Sequence, residues 1–350
     1  MALILIMAAA LWGLGHLMDA PRQARWTMIG LLYVAVLAVH VALPQGHPLR
    51  AATGGSAGEW LVLGGLLGLV LAYRKGLARV RARVRPENRP AEAQPGTFAT
   101  GEIDRYARHI VLREIGGVGQ KRLKEASVLV VGAGGLGSPA MLYLAAAGVG
   151  TIGVVDDDDV EGTNLQRQVI HTDARIGKPK VFSAVDGMRA VNPHVTARPY
   201  RRRLDAEAAA DLVGAYDLVL DGCDNFETRY LVNRACAEAG VPLIGAALSQ
   251  WEGQLSTYAP AAGTPCYECI FPSAPAAGLA PSCAEAGVLG PLPGVVGSMM
   301  AVEAIKELTG AGEGLRGRLL IYDALYGETR TIALKRRPDC PVCGDRPAPA

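Results

Sequence analysis

Four cysteines stand in two pairs of one spacing, Cys266-x-x-Cys269 and Cys340-x-x-Cys343. Thiolate pairs so spaced suit tetrahedral zinc, and four thiolates close the coordination shell, which makes such a site structural. The metal would tie the end of the chain to its middle. Seven cysteines in all, an odd number, argue for a reducing compartment rather than a disulfide framework. A second constellation is built on glycine. Gly132-x-Gly134-x-x-Gly137 follows an apolar run and opens a stretch rich in small residues. Glycines let the backbone approach phosphate oxygens, and a helix N-terminus there favours negative charge. Asp156 follows at the distance where an acid bonds ribose hydroxyls. On its own this constellation also fits an NAD-dependent oxidoreductase.

Further charged residues separate the two readings. Arg167 lies in NLQRQ, Lys180 in IGKPK, and Asp224 with Asn225 in DGCDN. The pyrophosphate of NAD needs few cations. A triphosphate attacked at its α-phosphorus needs several. Arg167 and Lys180 can neutralise the developing charge, and Asp224 can hold magnesium. The plainer alternatives are surface charges for Arg167 and Lys180 and a helix N-cap for Asp224.

The elements that must position these residues alternate. Strands are expected over 127–134, 151–156, 195–200, 217–221 and 241–248. Helices are expected over 139–149, 178–191, 206–213 and 226–239. Such alternation predicts an α/β fold with a mostly parallel, doubly wound, Rossmann-like sheet. Arg167, Lys180 and Asp224 then fall at strand ends along one sheet edge.

Several motifs stand in order: RYARHIVL (105–112), VGAGGLGSPA (131–140), NLQRQVIH (164–171), IGKPK (176–180), NPH (192–194), DGCDNFETR (221–229), PCYEC (265–269), CAEAGVLGP (283–291) and CPVCG (340–344). Together they resemble the ThiF/MoeB/HesA family of ubiquitin-activating-type enzymes, over 102–344. The resemblance implies ATP-dependent adenylation of the C-terminal glycine of a ubiquitin-like sulfur carrier ending in Gly-Gly. A separate sulfur-donor protein would serve it. Gly132, Gly134, Gly135 and Gly137 would lie at the nucleotide and Asp156 would bind its ribose. The run Thr163, Asn164, Leu165, Gln166 and Arg167, with Lys180, would hold the phosphates. Many family members have serine at the place of Thr163, so a hydroxyl is kept. Asp224, with Asn225 beside it, would organise magnesium, and Arg108 would reach across a homodimer into the partner's site. Cys283 matches a cysteine on a mobile crossover loop, able to form a thioester or acyl-persulfide; some members instead pass the adenylate directly to another sulfur donor. Cys223 and Cys236 read as small core residues, and His109 and His171 as structural histidines.

The rest of the chain bounds partners and location. Net charge is +2, which gives no support to nucleic-acid binding. The first 75 residues carry few charges and hold apolar segments over 3–18, 26–43 and 60–73. A bilayer core of about 30 Å takes roughly 20 helical residues. Two to three transmembrane helices are therefore expected over 1–75. A cleaved signal peptide and a buried helical hairpin are the alternatives. Arg22 and Arg25 lie between the first two segments, and Arg74, Lys75, Arg79, Arg81, Arg83 and Arg85 follow the third. The positive-inside rule then places the remainder in the cytoplasm, as the soluble part of a multi-pass membrane protein. Residues 76–100 read as a basic segment and linker, and 101–350 as the adenylation domain.

Overall fold

The computed structural model describes residues 2–18, 21–54, 56–84, 98–275 and 286–344. It divides into two units, Met1–Asn88 and Arg89–Ala350. The first is helical: Ala2–Leu17 (α1), Arg22–Ala42 (α2), Pro48–Thr53 (α3) and Ala57–Val84 (α4). Ile4, Val36 and Trp60 form its small buried cluster. The Tyr33 hydroxyl donates to the Trp60 carbonyl at 2.6 Å, and the Trp60 indole donates to the Gly54 carbonyl at 2.9 Å. Among the described residues, two stretches are long and apolar enough to cross a membrane, Gln23–Ala42 and Ala57–Gly76; α1 is shorter. The basic segment that begins at residue 76 continues α4 through Val84. Its Leu, Ala and Arg residues favour helix, and no proline intervenes before Pro86.

In the second unit, Glu102–Arg105 (α5), Ala107–Ile110 (α6) and Gly116–Glu125 (α7) lead into Ser127–Val131 (β1). β1 is apolar on both faces and must be covered on both. Val128 and Val130 pack into one core with Gly137–Ala147 (α8), Lys180–Val191 (α9) and Pro291–Thr309 (α13). Leu129 and Val131 pack into the other with Ala206–Val213 (α10) and Phe226–Ala239 (α11). Parallel to β1 lie Thr151–Val155 (β2) and Leu218–Asp221 (β4), flanked by Thr196–Tyr200 (β3) and Leu243–Leu248 (β5), also parallel. Glu252–Tyr258 (β6), Arg318–Asp323 (β7) and Glu328–Ala333 (β8) continue the sheet in antiparallel fashion, and a short Tyr267–Ile270 (α12) follows β6. The order is β3-β2-β1-β4-β5-β6-β7-β8. The sheet is therefore mixed: five strands fit the parallel expectation, and three antiparallel ones extend it.

The crossover direction changes at β1, between β2 and β4. In open α/β sheets the crevice at such a point, outside the carboxyl ends of the strands, is where ligands bind. The glycine loop leaves β1 there, Asp156 leaves β2, and Asp224 leaves β4.

Candidate active site and four-cysteine centre

The turn after β1 is tight because two of its glycines have no alternative. Gly132 has φ +93°, and a Cβ on it would meet the Gly222 carbonyl oxygen at 3.0 Å. A Cβ on Gly137 would sit 2.0 Å from the Gly132 oxygen. The loop is also gripped from outside. The Ala133 N–H donates to Asp156 Oδ2 at 2.7 Å, and the Asp158 N–H donates to Oδ1 at 2.9 Å. Burial raises the Asp156 carboxyl above the ordinary range, while Lys180 and these N–H groups oppose the shift. The Ala133 carbonyl pairs with His171 Nε2 at 2.9 Å, and His171 Nδ1 pairs with the Ser183 hydroxyl at 2.9 Å. Burial lowers the pKa of this histidine, so it stays neutral and structural, as its position in the sequence indicated.

A cavity of about 1050 Å³ opens above the loop. That volume lies at the upper end for ligand pockets, enough for a nucleotide with a peptide tail beside it. Gly132, Gly134, Gly135, Asp156, Arg167, Lys180, Asp224 and Asn225 all line it. Lys180 is 5% exposed at the first turn of α9, where the helix dipole opposes a cation. Asp158 compensates: its carboxylate accepts from Lys180 Nζ at 2.7 Å and its carbonyl from the Lys180 N–H at 2.9 Å. Arg167 is steadied by Asn164 Oδ1 at 2.9 Å.

Five of the residues named for the nucleotide do not line this cavity. Gly137 serves the turn. Thr163 and Asn164 share the Glu161 carboxylate, at 3.3 and 3.4 Å. Leu165 is half-buried beside them, and Gln166 lies against Gly290 at the head of α13. Asn225 lines the cavity and is also the N-cap of α11, with its Oδ1 accepting from the Thr228 N–H at 2.8 Å. The cap expected as the plainer role of Asp224 thus belongs to its neighbour, and Asp224 is exposed to the cavity. Arg108 lies elsewhere, in a hollow of about 480 Å³ with Tyr143 of α8 and Val302 and Ile305 of α13. Cys283 falls outside the described residues.

Sequence reasoning overlooked the buried pair beneath the Asp224 loop. Arg229 Nη1 lies 3.7 Å from Asp221 Oδ2, and Arg229 Nη2 donates to the Cys223 carbonyl at 2.6 Å. Both residues belong to DGCDNFETR, so the signal was present. Burial raises the Cys223 thiol well above the usual range, with the Asp221 charge adding to the shift; it is a core residue in this loop, as is Cys236 in α11.

The cysteine pairs converge as their spacing predicted. Cys266 Sγ lies 3.9 Å from Cys269 Sγ and 3.6 Å from Cys340 Sγ, and Cys269 Sγ lies 3.4 Å from Cys343 Sγ. All four sulfurs are within 4.8 Å of one another and buried. Tetrahedral zinc with Zn–S near 2.3 Å requires sulfurs about 3.8 Å apart. The donor set therefore fits zinc in both kind and spacing. The Arg337 N–H points at Cys269 Sγ at 3.5 Å. Burial raises the Cys266 thiol far above its usual range and the Cys269 thiol to about 11, whereas at Cys340 burial is outweighed by hydrogen bonds from the neighbouring backbone and thiols, which lower it.

The family model described as the ThiF family matches residues 106–342, all in the second unit. The sulfur carrier protein adenylyltransferase of Thermus thermophilus is 51% identical over 250 residues, which cover 70% of this chain and 92% of that one. The SAMP-activating enzyme E1 of Haloferax volcanii is 50% identical over 244 residues, covering 70% and 90%. The adenylyltransferase and sulfurtransferase MOCS3 of Bos taurus is 52% identical over 247 residues, but these make up 54% of its length. Among solved structures, Escherichia coli MccB with ATP superposes with a TM-score of 0.60 at 25% identity, covering 69% of this chain and 75% of that one. With most of the second unit matched and two relatives at half identity spanned nearly end to end, this chain belongs to the ThiF family.

Proposed function

We propose that the second unit uses ATP to adenylate the C-terminal glycine carboxylate of a small ubiquitin-like sulfur carrier. One observation carries the reading. A glycine loop, two cations and an acid from separate strand ends line a single cavity, and the relatives named above are adenylyltransferases and activating enzymes of this kind. A carboxylate oxygen of the carrier attacks the α-phosphorus. The bond from that phosphorus to its bridging oxygen breaks, and pyrophosphate leaves with the electron pair. Acyl-adenylate remains.

The chain's own residues align and neutralise. The loop N–H groups and the N-terminus of α8 face the phosphates. Asp156 holds the ribose, while Arg167 and Lys180 offset charge gathering on the phosphoryl oxygens. Asp224 would hold magnesium, which would supply further neutralisation of the departing pyrophosphate. Cys266, Cys269, Cys340 and Cys343 would hold zinc, which would tie β8 and the chain beyond it to the turn after β6. An NAD-dependent oxidoreductase accounts for the glycine loop and Asp156, but leaves Arg167, Lys180 and the cysteine cluster without use. The test is pyrophosphate–ATP exchange with a carrier ending in Gly-Gly. Exchange should depend on the carrier and vanish in Asp224→Ala. Nicotinamide binding without exchange by any diglycine-ended carrier would reverse the assignment.

A further inference from the structure

Gln168, the last residue of NLQRQ, has no part in the chemistry above. Its side chain is 4% exposed and lines the nucleotide cavity. Oε1 has no hydrogen-bond partner, and among the described residues no partner is present for Nε2 either. A buried carboxamide left unpaired is unfavourable, because it has given up its bonds to water and gained none in the protein. Two bonds hold its backbone: its N–H donates to the Asn164 carbonyl at 3.0 Å, and its carbonyl accepts from the His171 N–H at 3.1 Å. The imidazole of that histidine grips the Ala133 carbonyl in the glycine loop. The amide is therefore carried on the same brace as the loop.

Its place in the cavity is narrow. A Cβ built on Gly134 would lie 3.7 Å from Gln168 Nε2, and one built on Gly135 would lie 3.7 Å from Arg167 Cγ. Consecutive residues of one turn thus cover consecutive glycines. Those glycines, the N-terminus of α8 and Arg167 make up the phosphate end of the cavity, and Asp156 marks the sugar end. Of its two terminal atoms Nε2 is the one nearest Gly134, so the N–H end is turned to the glycine loop.

We infer that the Gln168 carboxamide donates a hydrogen bond to a phosphoryl oxygen of the bound nucleotide. The inference rests on the adenylation reading. A neutral donor suits this position, because it binds the phosphate without adding a third cation to Arg167 and Lys180 and needs no buried counter-charge. The Nε2 group is thereby given a partner that arrives with the substrate, while Oε1 stays the unpaired end of the amide.

The experiment measures MgATP binding to the full-length protein by calorimetry, and melting temperature with and without nucleotide. Gln168→Leu keeps most of the volume and removes the donor. Its dissociation constant for MgATP should rise roughly tenfold, and Gln168→Glu should weaken binding further by repelling phosphate. The nucleotide-free Gln168→Leu protein should melt at or above the wild-type temperature, because an unsatisfied polar group has gone. A purely structural glutamine predicts the reverse, with a lower melting temperature and an unchanged upward shift on adding ATP. Wild-type affinity in Gln168→Leu overturns the inference whatever its melting temperature. Failure of the wild-type protein itself to bind ATP would instead strike the adenylation reading.

Discussion

Asp158 is the residue on which the cationic side of the site turns. Lys180 is nearly buried at a helix N-terminus, and the Asp158 carboxylate is its ion-pair partner at 2.7 Å. That carboxylate is largely exposed to solvent, which screens the pair. Its larger effect is on where the ammonium points. Asp158→Ala should lower kcat/KM for ATP about tenfold in pyrophosphate exchange while leaving the protein folded, by the rule that about 1.4 kcal/mol equals a factor of ten. A faster Asp158→Ala enzyme would mean that the acid competes with phosphate for the lysine. Single residues were legible where a chemical need fixed both type and place. Gly134, Gly135, Asp156, Arg167, Lys180 and Asp224 meet at one cavity because each follows a strand whose register put it there. Asp158 and the pair of Asp221 with Arg229 were not legible as supports. A run of four aspartates does not say which of them faces a lysine, and a buried ion pair looks like two surface charges until the sheet is assembled.

Helix α11 connects the two chemical centres of the second unit. It begins at the Asn225 cap, next to Asp224, and its outer face is fastened to the turn that carries Cys266 and Cys269. The Tyr230 hydroxyl donates to the Phe271 carbonyl at 2.9 Å, Asn233 Oδ1 accepts from the Tyr267 N–H at 2.9 Å, and Arg234 Nε donates to Glu268 Oε1 at 2.8 Å. Tyr267 and Phe271 also line the nucleotide cavity. Stripping the metal with a chelator should therefore do more than loosen the C-terminal strand. Melting temperature should fall by several degrees, and carrier-dependent exchange should fall with it before the unit unfolds, with zinc restoring both. Full exchange by metal-free protein would show that the cysteine centre and the site are independent. The parallel half of this architecture could be read from apolar strand runs punctuated by helices. In the antiparallel half only β7 carries such a run, LLIY at 319–322, which the sequence reading passed over. β8 is exposed at every position and β6 mixes polar with apolar residues, so neither carries a buried-strand pattern. Their partners in the sheet, rather than their own composition, make them strands.

At the scale of the whole molecule, two features call for partners. Stretches Gln23–Ala42 and Ala57–Gly76 present large apolar side chains outward, Leu31 and Val34 on one and Leu66 and Leu69 on the other. We propose that they span a bilayer and that the arginines after Tyr73 hold the second unit on the cytoplasmic side. Alkaline carbonate washing should leave the protein in the membrane pellet; release into the supernatant would contradict the spans. Arg108 is exposed in the α8–α13 hollow and outside the nucleotide cavity of its own chain, with Tyr143 and Val302 more than half exposed beside it. We propose that a second copy covers this face and takes Arg108 into its site. Mixing Arg108→Ala with Asp224→Ala protein should then restore about a quarter of wild-type exchange, since random pairing gives half the dimers one intact site. No recovery would refute action in trans. The adenylation claim itself is most directly tested by intact-mass spectrometry after a single turnover. Full-length protein is mixed with MgATP and a carrier ending in Gly-Gly, without a sulfur donor. A carrier heavier by one adenylyl group, absent when the terminal glycine is removed or when Asp224→Ala replaces the wild type, is the expected result. An unmodified carrier alongside intact ATP would contradict the account.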